Sequence, residues 1–85
     1  MPNFGQVVRM SREKRGESKK ALATYLKISE GFVKHLESSR TVPVSPRIVG
    51  ALARHYRLPK AKLERLAARR NVVARAYYRN YRKTG

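Results

Sequence analysis

Helix-capping residues recur along this sequence at short intervals, and these helix-start signals are the feature that most limits the fold. A Ser or Asn side chain before a helix accepts a hydrogen bond from a first-turn backbone N–H, which has no partner inside the helix. Asn3, Ser18 and Ser29 each precede a segment whose apolar residues recur at three- and four-residue steps. Asn3 also has Gln6 three residues later, the spacing of a reciprocal capping box. The three helices predicted from this pattern end near Arg15, Leu26 and Ser38.

The second half of the chain carries two proline signals. Ser45-Pro46 places a capping side chain before a proline at the first helical position, where no N–H is needed. This pair is predicted to open a fourth helix that runs to Tyr56. Leu58-Pro59 is interpreted as the same arrangement, opening a fifth helix that runs to about Lys83. Because no alternating pattern suggests strands, the predicted fold is all-α, a compact five-helix domain with an extended basic C-terminal helix.

Net charge is the strongest indication of a partner. The chain has 21 Lys and Arg against five acidic residues, for a formal charge of +16. A folded domain with this imbalance repels itself, so a polyanionic partner is expected, nucleic acid first and an anionic membrane surface a distant second. No apolar run approaches the roughly 20 residues that cross a bilayer, and no signal peptide is visible at the N-terminus. We therefore expect a cytoplasmic, nucleoid-associated protein that binds no membrane.

Catalytic and metal-binding chemistry find no support in the sequence. Cysteine and aspartate are absent, which removes disulfides, thiolate metal sites and thiol catalysis. There is no glycine-rich phosphate loop and no metal-ligand cluster, and the two histidines have no carboxylate or nucleophile at a telling spacing. The sequence predicts a protein that is not an enzyme and that uses no cofactor or metal.

Two short predicted helices joined at Lys27-Ile28 form the segment that indicates a function. The second helix begins after Ser29, and Val33 and Leu36 give it an apolar back face. This leaves a small or polar set of residues at its start to point outward. In a helix-turn-helix, the second helix lies in the major groove of DNA and presents its N-terminal residues to base edges.

The spacing of many individually weak matches resembles the lambda-repressor/Cro (Xre-type) helix-turn-helix family. The similarity covers Phe4 to Ala67. The matching residues are Phe4-Gly5, Arg12-Glu13, Arg15-Gly16, Ser18-Lys19, Leu22-Ala23, Leu26, Ile28-Ser29, Val33, Leu36-Glu37, Pro43 and Leu52-Ala53-Arg54. The resemblance implies a helix-turn-helix DNA-binding domain within residues 1–69.

The resemblance also implies roles for particular residues. Family members read bases with the first turn of the second helix and the turn after it, positions held here by Glu30, Gly31, Lys34 and His35. The residues expected to contact DNA phosphates, including two at the turn itself, are Lys19, Lys27, Ser29, Ser38 and Arg40. Arg12 and Glu37 match a largely buried ion pair that ties the first helix to the third.

Four positions depart from the family pattern. Lys27 and Ser39 stand where the family usually has glycine, and a left-handed backbone at either residue costs about 1–2 kcal/mol. Lys27 can compensate by reaching a phosphate. Glu17 replaces an apolar residue, so some core contact is expected to be lost. Gly31 contributes no side chain, which leaves few residues to read bases.

Composition changes near the end of the chain. Beyond Arg70 three of the seven apolar residues are tyrosines, which indicates a partly solvated contact surface, so residues 70–85 are predicted to form a separate basic helix or tail. Its candidate contact residues are Arg75, Tyr77, Tyr78, Arg79, Tyr81 and Arg82. They can stack on nucleic-acid bases, or they can form a dimer or partner contact. A tail without function is the third interpretation.

The predicted function is that of a duplex DNA-binding regulator, a repressor that reads the major groove with the helix starting at Ser29. Few base contacts per monomer favour a homodimer on DNA. One alternative is a basic protein that coats DNA without sequence preference or binds RNA, including a ribosome. Another is an adaptor whose C-terminal helix docks on a protein partner.

Overall fold

The computed structural model describes residues 2–38 and 44–68, and these residues form five helices and no strand. The helices are α1 (Phe4–Lys14), α2 (Lys19–Leu26), α3 (Glu30–Ser38), α4 (Pro46–Tyr56) and α5 (Lys60–Ala68). This confirms the all-α prediction. The predicted continuation of the fifth helix to Lys83 and the expected domain boundary at residues 69–70 lie outside the described residues. The described residues belong to two compact units whose boundary falls between Arg40 and Thr41.

Side-chain caps begin the first four helices, as the sequence predicts. Asn3 and Gln6 form the reciprocal capping box, each side-chain oxygen accepting from the other residue's backbone N–H at 2.9 Å. Ser18, Ser29 and Ser45 each accept from the N–H three residues on, at 3.0, 3.0 and 3.3 Å. These local hydrogen bonds replace partners that a helix start otherwise lacks, which is why the predicted starts were accurate.

The fifth helix begins differently from the prediction. Pro46 lies at the first position of α4, after the Ser45 cap. Pro59 instead precedes α5, and its carbonyl accepts from the Leu63 N–H at 3.1 Å. Leu58 has no acceptor side chain, and its N–H donates to the Ala53 carbonyl at 2.8 Å, which ties it to the end of α4. The Ser-Pro arrangement is therefore not repeated at Leu58-Pro59.

In the first unit, α1 and α2 each pack on α3. The core consists of side chains with essentially no exposed surface: Phe4, Val8, Leu22, Leu26, Val33 and Leu36. Gly5 allows the closest approach, because a Cβ atom at this position would lie 2.5 Å from the Glu37 carbonyl oxygen. Any larger residue would push α1 away from the last turn of α3.

An ion pair joins α1 to the same end of α3. Arg12 donates to the Glu37 carboxylate through Nε at 2.7 Å and Nη2 at 3.1 Å, and its Nη1 donates to the Glu17 carbonyl at 2.8 Å. The Arg12 and Glu37 side chains are only 11% and 4% exposed. The predicted structural pair is therefore present, and it is bidentate, the stronger geometry for an Arg–carboxylate contact. Glu17, expected to weaken the core, contributes its backbone to this network.

In the second unit, α4 packs on α5. The buried residues are Val44, Ile48, Val49, Ala51, Leu52, Ala53, Tyr56, Leu63 and Ala67. His55 is half-buried, and its ring centroid lies 4.7 Å from that of Tyr56. The helix ends at Arg57 in a left-handed conformation with φ 54°, which the sequence did not predict because no glycine marks it.

We predict that Arg12→Ala lowers the free energy of unfolding by about 3–5 kcal/mol, because it leaves a buried carboxylate without its partner. Arg9→Ala is the matched control, since Arg9 pairs with Glu13 on the same helix at 3.2 Å but both side chains are more than half exposed. Its expected cost is about 0.5 kcal/mol or less. Urea denaturation of both variants measures the difference, and similar losses would contradict the structural role of the Arg12–Glu37 pair.

Candidate nucleic-acid interface

The turn between α2 and α3 depends on one left-handed residue. Lys27 ends α2 with φ 58° and ψ 46°. The Lys27 N–H donates to the Thr24 carbonyl at 3.3 Å, and the Ile28 N–H donates to the Ala23 carbonyl at 3.0 Å. These bonds close the end of α2, so that α3 starts at Glu30 after three residues. Lys27 therefore keeps the left-handed backbone of a family glycine position, and Ser39, the other such position, lies outside the described residues.

The third helix has one buried face and one exposed face. Val33 and Leu36 have no exposed surface, and Phe32 is half-buried beside them. The four residues expected to read bases are all exposed: Glu30, Gly31, Lys34 and His35. At about 100° per residue the four positions fall within an arc of about 140° around the helix axis, so this set forms one outward surface. We call these four residues the α3 face.

Gly31 is not required by the fold. A Cβ atom there would meet only the Ser29 hydroxyl, at 3.9 Å, which is ordinary van der Waals contact. Glycine in a helix costs about 0.5–1 kcal/mol relative to alanine. Gly5 has a packing reason for its missing side chain, whereas Gly31 has none within the described structure. The missing side chain instead leaves the backbone of the first turn of α3 open to close approach from outside.

The residues expected to contact phosphates differ in solvent exposure and in the hydrogen bonds that their side chains already make. Lys27 and Ser29 are exposed at the turn, and Lys19 is half-buried at the first position of α2. The Ser29 oxygen accepts from the Phe32 N–H, which leaves its O–H to donate elsewhere. Ser38 is exposed, but its O–H donates to the Lys34 carbonyl at 2.6 Å. A phosphate contact from Ser38 therefore requires that bond to break.

The turn and the α3 face together carry two lysines and one glutamate. Lys27 and Lys34 carry cations, and Glu30 is the acidic residue in the first turn of α3. A carboxylate at that place is stabilised by the partial positive charge of the helix N-terminus. It can also accept a hydrogen bond from a cytosine amino group in the major groove. The arrangement suits a polyanion approached by the start of α3.

Several candidate residues lie outside the described residues. These are Arg40 and the C-terminal set Arg75, Tyr77, Tyr78, Arg79, Tyr81 and Arg82. Within the described residues, no cluster of three or more potential metal ligands occurs. In the same part of the chain, no helix combines the length and apolar character that a membrane span needs.

Sequence reasoning missed a second set of basic residues, on the α4–α5 unit. An open groove there is lined by Pro46, Arg47, Gly50, Ala53, Arg54, Leu58 and Lys60. The spacing of Arg47, Gly50 and Arg54 at steps of three and four residues was visible in the sequence as one face of a helix. The position of Lys60 beside that face depends on how α5 packs, which the spacing does not give.

A family model described as a helix-turn-helix domain matches residues 3–66 of the chain. The match covers all five described helices almost to the end of α5. The chain therefore belongs to the helix-turn-helix domain family, which confirms the resemblance found in the sequence. DNA is the partner that this family indicates. No curated protein and no solved structure was found to match the chain.

We predict that Lys27→Gly raises the free energy of unfolding by about 0.5–1 kcal/mol. Glycine removes the strain of a left-handed L-residue, about 1–2 kcal/mol, but increases the entropy of the unfolded chain. Lys27→Ala is the control, because it removes the same charge and keeps the strained Cβ atom. Thermal and urea unfolding of the two variants give the difference. A Lys27→Gly protein no more stable than Lys27→Ala would contradict the strain at this turn.

Proposed function

We propose that this chain is a transcriptional regulator, a repressor, which reads duplex DNA sequence by inserting α3 into the major groove. The observation that carries the proposal is the α3 face, four exposed residues backed by the fully buried Val33 and Leu36. An exposed polar face at the start of the second helix is what a helix-turn-helix presents to base edges. Membership in the helix-turn-helix family supports DNA as the ligand.

Each residue of the α3 face has a proposed role in reading bases. Lys34 and His35 donate to guanine or to neighbouring acceptors, and Glu30 accepts from a cytosine amino group. Gly31 lets the backbone of α3 approach the base edges closely, since its missing side chain has no packing reason. Three side chains per helix give little discrimination, so each one matters for specificity.

Phosphate contacts fix the position of the helix in the groove. We assign this role to Lys19, Lys27 and Ser29, with Ser38 and Arg40 as further members of the set. Neutralised phosphates release counterions, so each cation that contacts one adds about 0.9 to the slope of log affinity against log salt. The strain held at Lys27 supports its assignment, since glycine would form the same turn at lower cost.

We further propose that the bound form is a homodimer on two half-sites about 34 Å apart, because a single α3 face offers few base contacts. Regulation then follows from occupancy of the site, without catalysis or a cofactor. In this proposal residues 1–69 form the DNA-binding domain. The basic segment 70–85 supplies dimer or nucleic-acid contacts, and the protein acts on DNA in the cytoplasm.

A second candidate function is binding of nucleic acid without sequence preference. Charge favours it, because residues 41–85 hold 12 of the 21 Lys and Arg but only one of the five acidic residues. Such a surface binds any phosphate backbone, including structured RNA. Salt dependence does not separate the two candidates, because both predict steep weakening with salt. Preference among sequences, and competition with RNA, do separate them.

The test is to bind variants to a randomised duplex library at physiological salt with total RNA as competitor, and to sequence the bound fraction. We expect Lys34→Ala and His35→Ala to flatten the sequence preference of the wild-type chain more than they weaken overall affinity. Lys19→Ala should keep the preference, weaken every duplex alike and lower the salt slope by about 0.9.

Equal loss on every sequence from all three variants would reject the base-reading assignment. A wild-type chain that binds duplexes without enriching any motif is instead a DNA-coating protein. Preferential capture by the competitor RNA would establish the RNA-binding alternative.

A further inference from the structure

The groove on the α4–α5 unit brings basic side chains together around a glycine. Arg47, Gly50 and Arg54 follow one another at three- and four-residue steps, so they share one face of α4. The two arginines are exposed, and Gly50 is half-buried between them. Lys60, at the start of α5, also lines this groove. Three cations from two helices therefore border the same opening.

Lys60 approaches the arginine face of α4 at Gly50. A Cβ atom built at Gly50 would lie 3.9 Å from Cε of Lys60, the carbon that carries the ammonium group. The charged end of Lys60 is thus brought over the glycine. A longer side chain at position 50 would occupy the space that the lysine uses.

Within the described residues, no carboxylate of the protein is paired with Arg54 or Lys60. Glu64 is the only acidic residue in the sequence after Glu37. Both of the ion pairs described above lie in the first unit. Arg54 and Lys60 therefore repel each other without a counter-charge beside them, and a bound polyanion removes that repulsion.

The other residues that line the groove indicate which kind of ligand it can bind. Pro46, Ala53 and Leu58 complete its lining, and none of them has a side-chain hydrogen-bond donor or acceptor. The groove therefore offers donors in the form of guanidinium and ammonium groups, and no side-chain acceptor that could select a base. Arg47 and Arg54 are seven residues apart, about 10 Å along the helix, which is the axial rise of three phosphates on one DNA strand.

We propose that this groove is a second DNA-contact surface, which binds the phosphate backbone of duplex DNA through Arg47, Arg54 and Lys60 and reads no bases. The inference rests on the proposed function in that its ligand is duplex DNA. The inference goes beyond the proposed function because it places contacts to the DNA backbone on the α4–α5 unit, which is not part of the helix-turn-helix motif. The surface adds affinity for all duplexes and leaves discrimination among sequences to the α3 face.

The test compares two double variants with the same change in charge. Arg54→Gln/Lys60→Gln removes two cations from the groove, and Lys62→Gln/Arg65→Gln removes two exposed cations of α5 that do not line it. Affinity for one random-sequence duplex is measured over a range of salt concentrations. The groove variant is expected to lower the salt slope by about 1.8 and to weaken binding roughly 30-fold at 0.15 M salt. The control should lose about threefold or less, with little change in slope.

A second pair of variants tests the geometry around Gly50. Gly50→Glu places a carboxylate beside Lys60 and should weaken duplex binding about as much as the loss of that lysine. Gly50→Gln fills the same space without charge and should bind at least several-fold more tightly than Gly50→Glu. Thermal unfolding of each protein checks that the comparison is made between folded chains.

Equal weakening by the two double variants, or no weakening by either, would overturn the proposal. So would a groove variant that loses affinity for RNA and keeps its affinity for duplex DNA. Sequence preference separates this proposal from the proposed function. The groove variant should keep the sequence preference of the wild type. A wild type that shows no sequence preference would reject the proposed regulator function, and the effect of the groove variant on random-sequence duplex would still test the groove.

Discussion

The Arg12–Glu37 ion pair links α1 to the end of α3, and the position of the α3 face depends on this link. The pair is bidentate and nearly excluded from solvent, and Arg12 also binds the Glu17 carbonyl at the turn after α1. Gly5 allows the α1 backbone to approach the same residue, Glu37. Both contacts act on the side of α3 that is turned toward α1. They hold the α3 face outward, and neither contact is part of that face.

Two local costs occur where α3 begins. Lys27 adopts a left-handed backbone that glycine would adopt with less strain, and Gly31 occupies a helical position where alanine would be more stable. Departures of this kind are expected at functional sites, where local rules give way to the needs of a ligand. The proposed contact of Lys27 and of the first turn of α3 with DNA would account for both departures.

The sequence predicted the parts of this structure that depend on neighbouring residues. The caps at Asn3, Ser18, Ser29 and Ser45 involve residues three positions apart, so the helix starts could be predicted from spacing alone. The buried face of α3 followed from its periodicity. The Arg12–Glu37 pair spans 25 positions and was predicted through a family resemblance, since spacing says nothing about a contact that distant.

The parts that the sequence did not predict are the end of α4 and the packing of α5 against that helix. Leu58-Pro59 resembles a helix start, but the Leu58 N–H is used to close α4. Arg57 is left-handed without the glycine that usually marks such a position. The groove required the approach of Lys60 to Gly50 across two helices. The first two features belong to the backbone hydrogen bonds that close α4, and the third depends on the packing of α5 on α4.

The most direct test of the central claim, that the α3 face contacts duplex DNA, is the change in backbone amide NMR shifts when a duplex enriched from the randomised library is added to the labelled full chain. We expect the largest saturable changes at residues 29–35, with smaller changes at Lys19 and Lys27. Amides of α3 that stay unchanged while other residues shift and the duplex is bound would contradict the account.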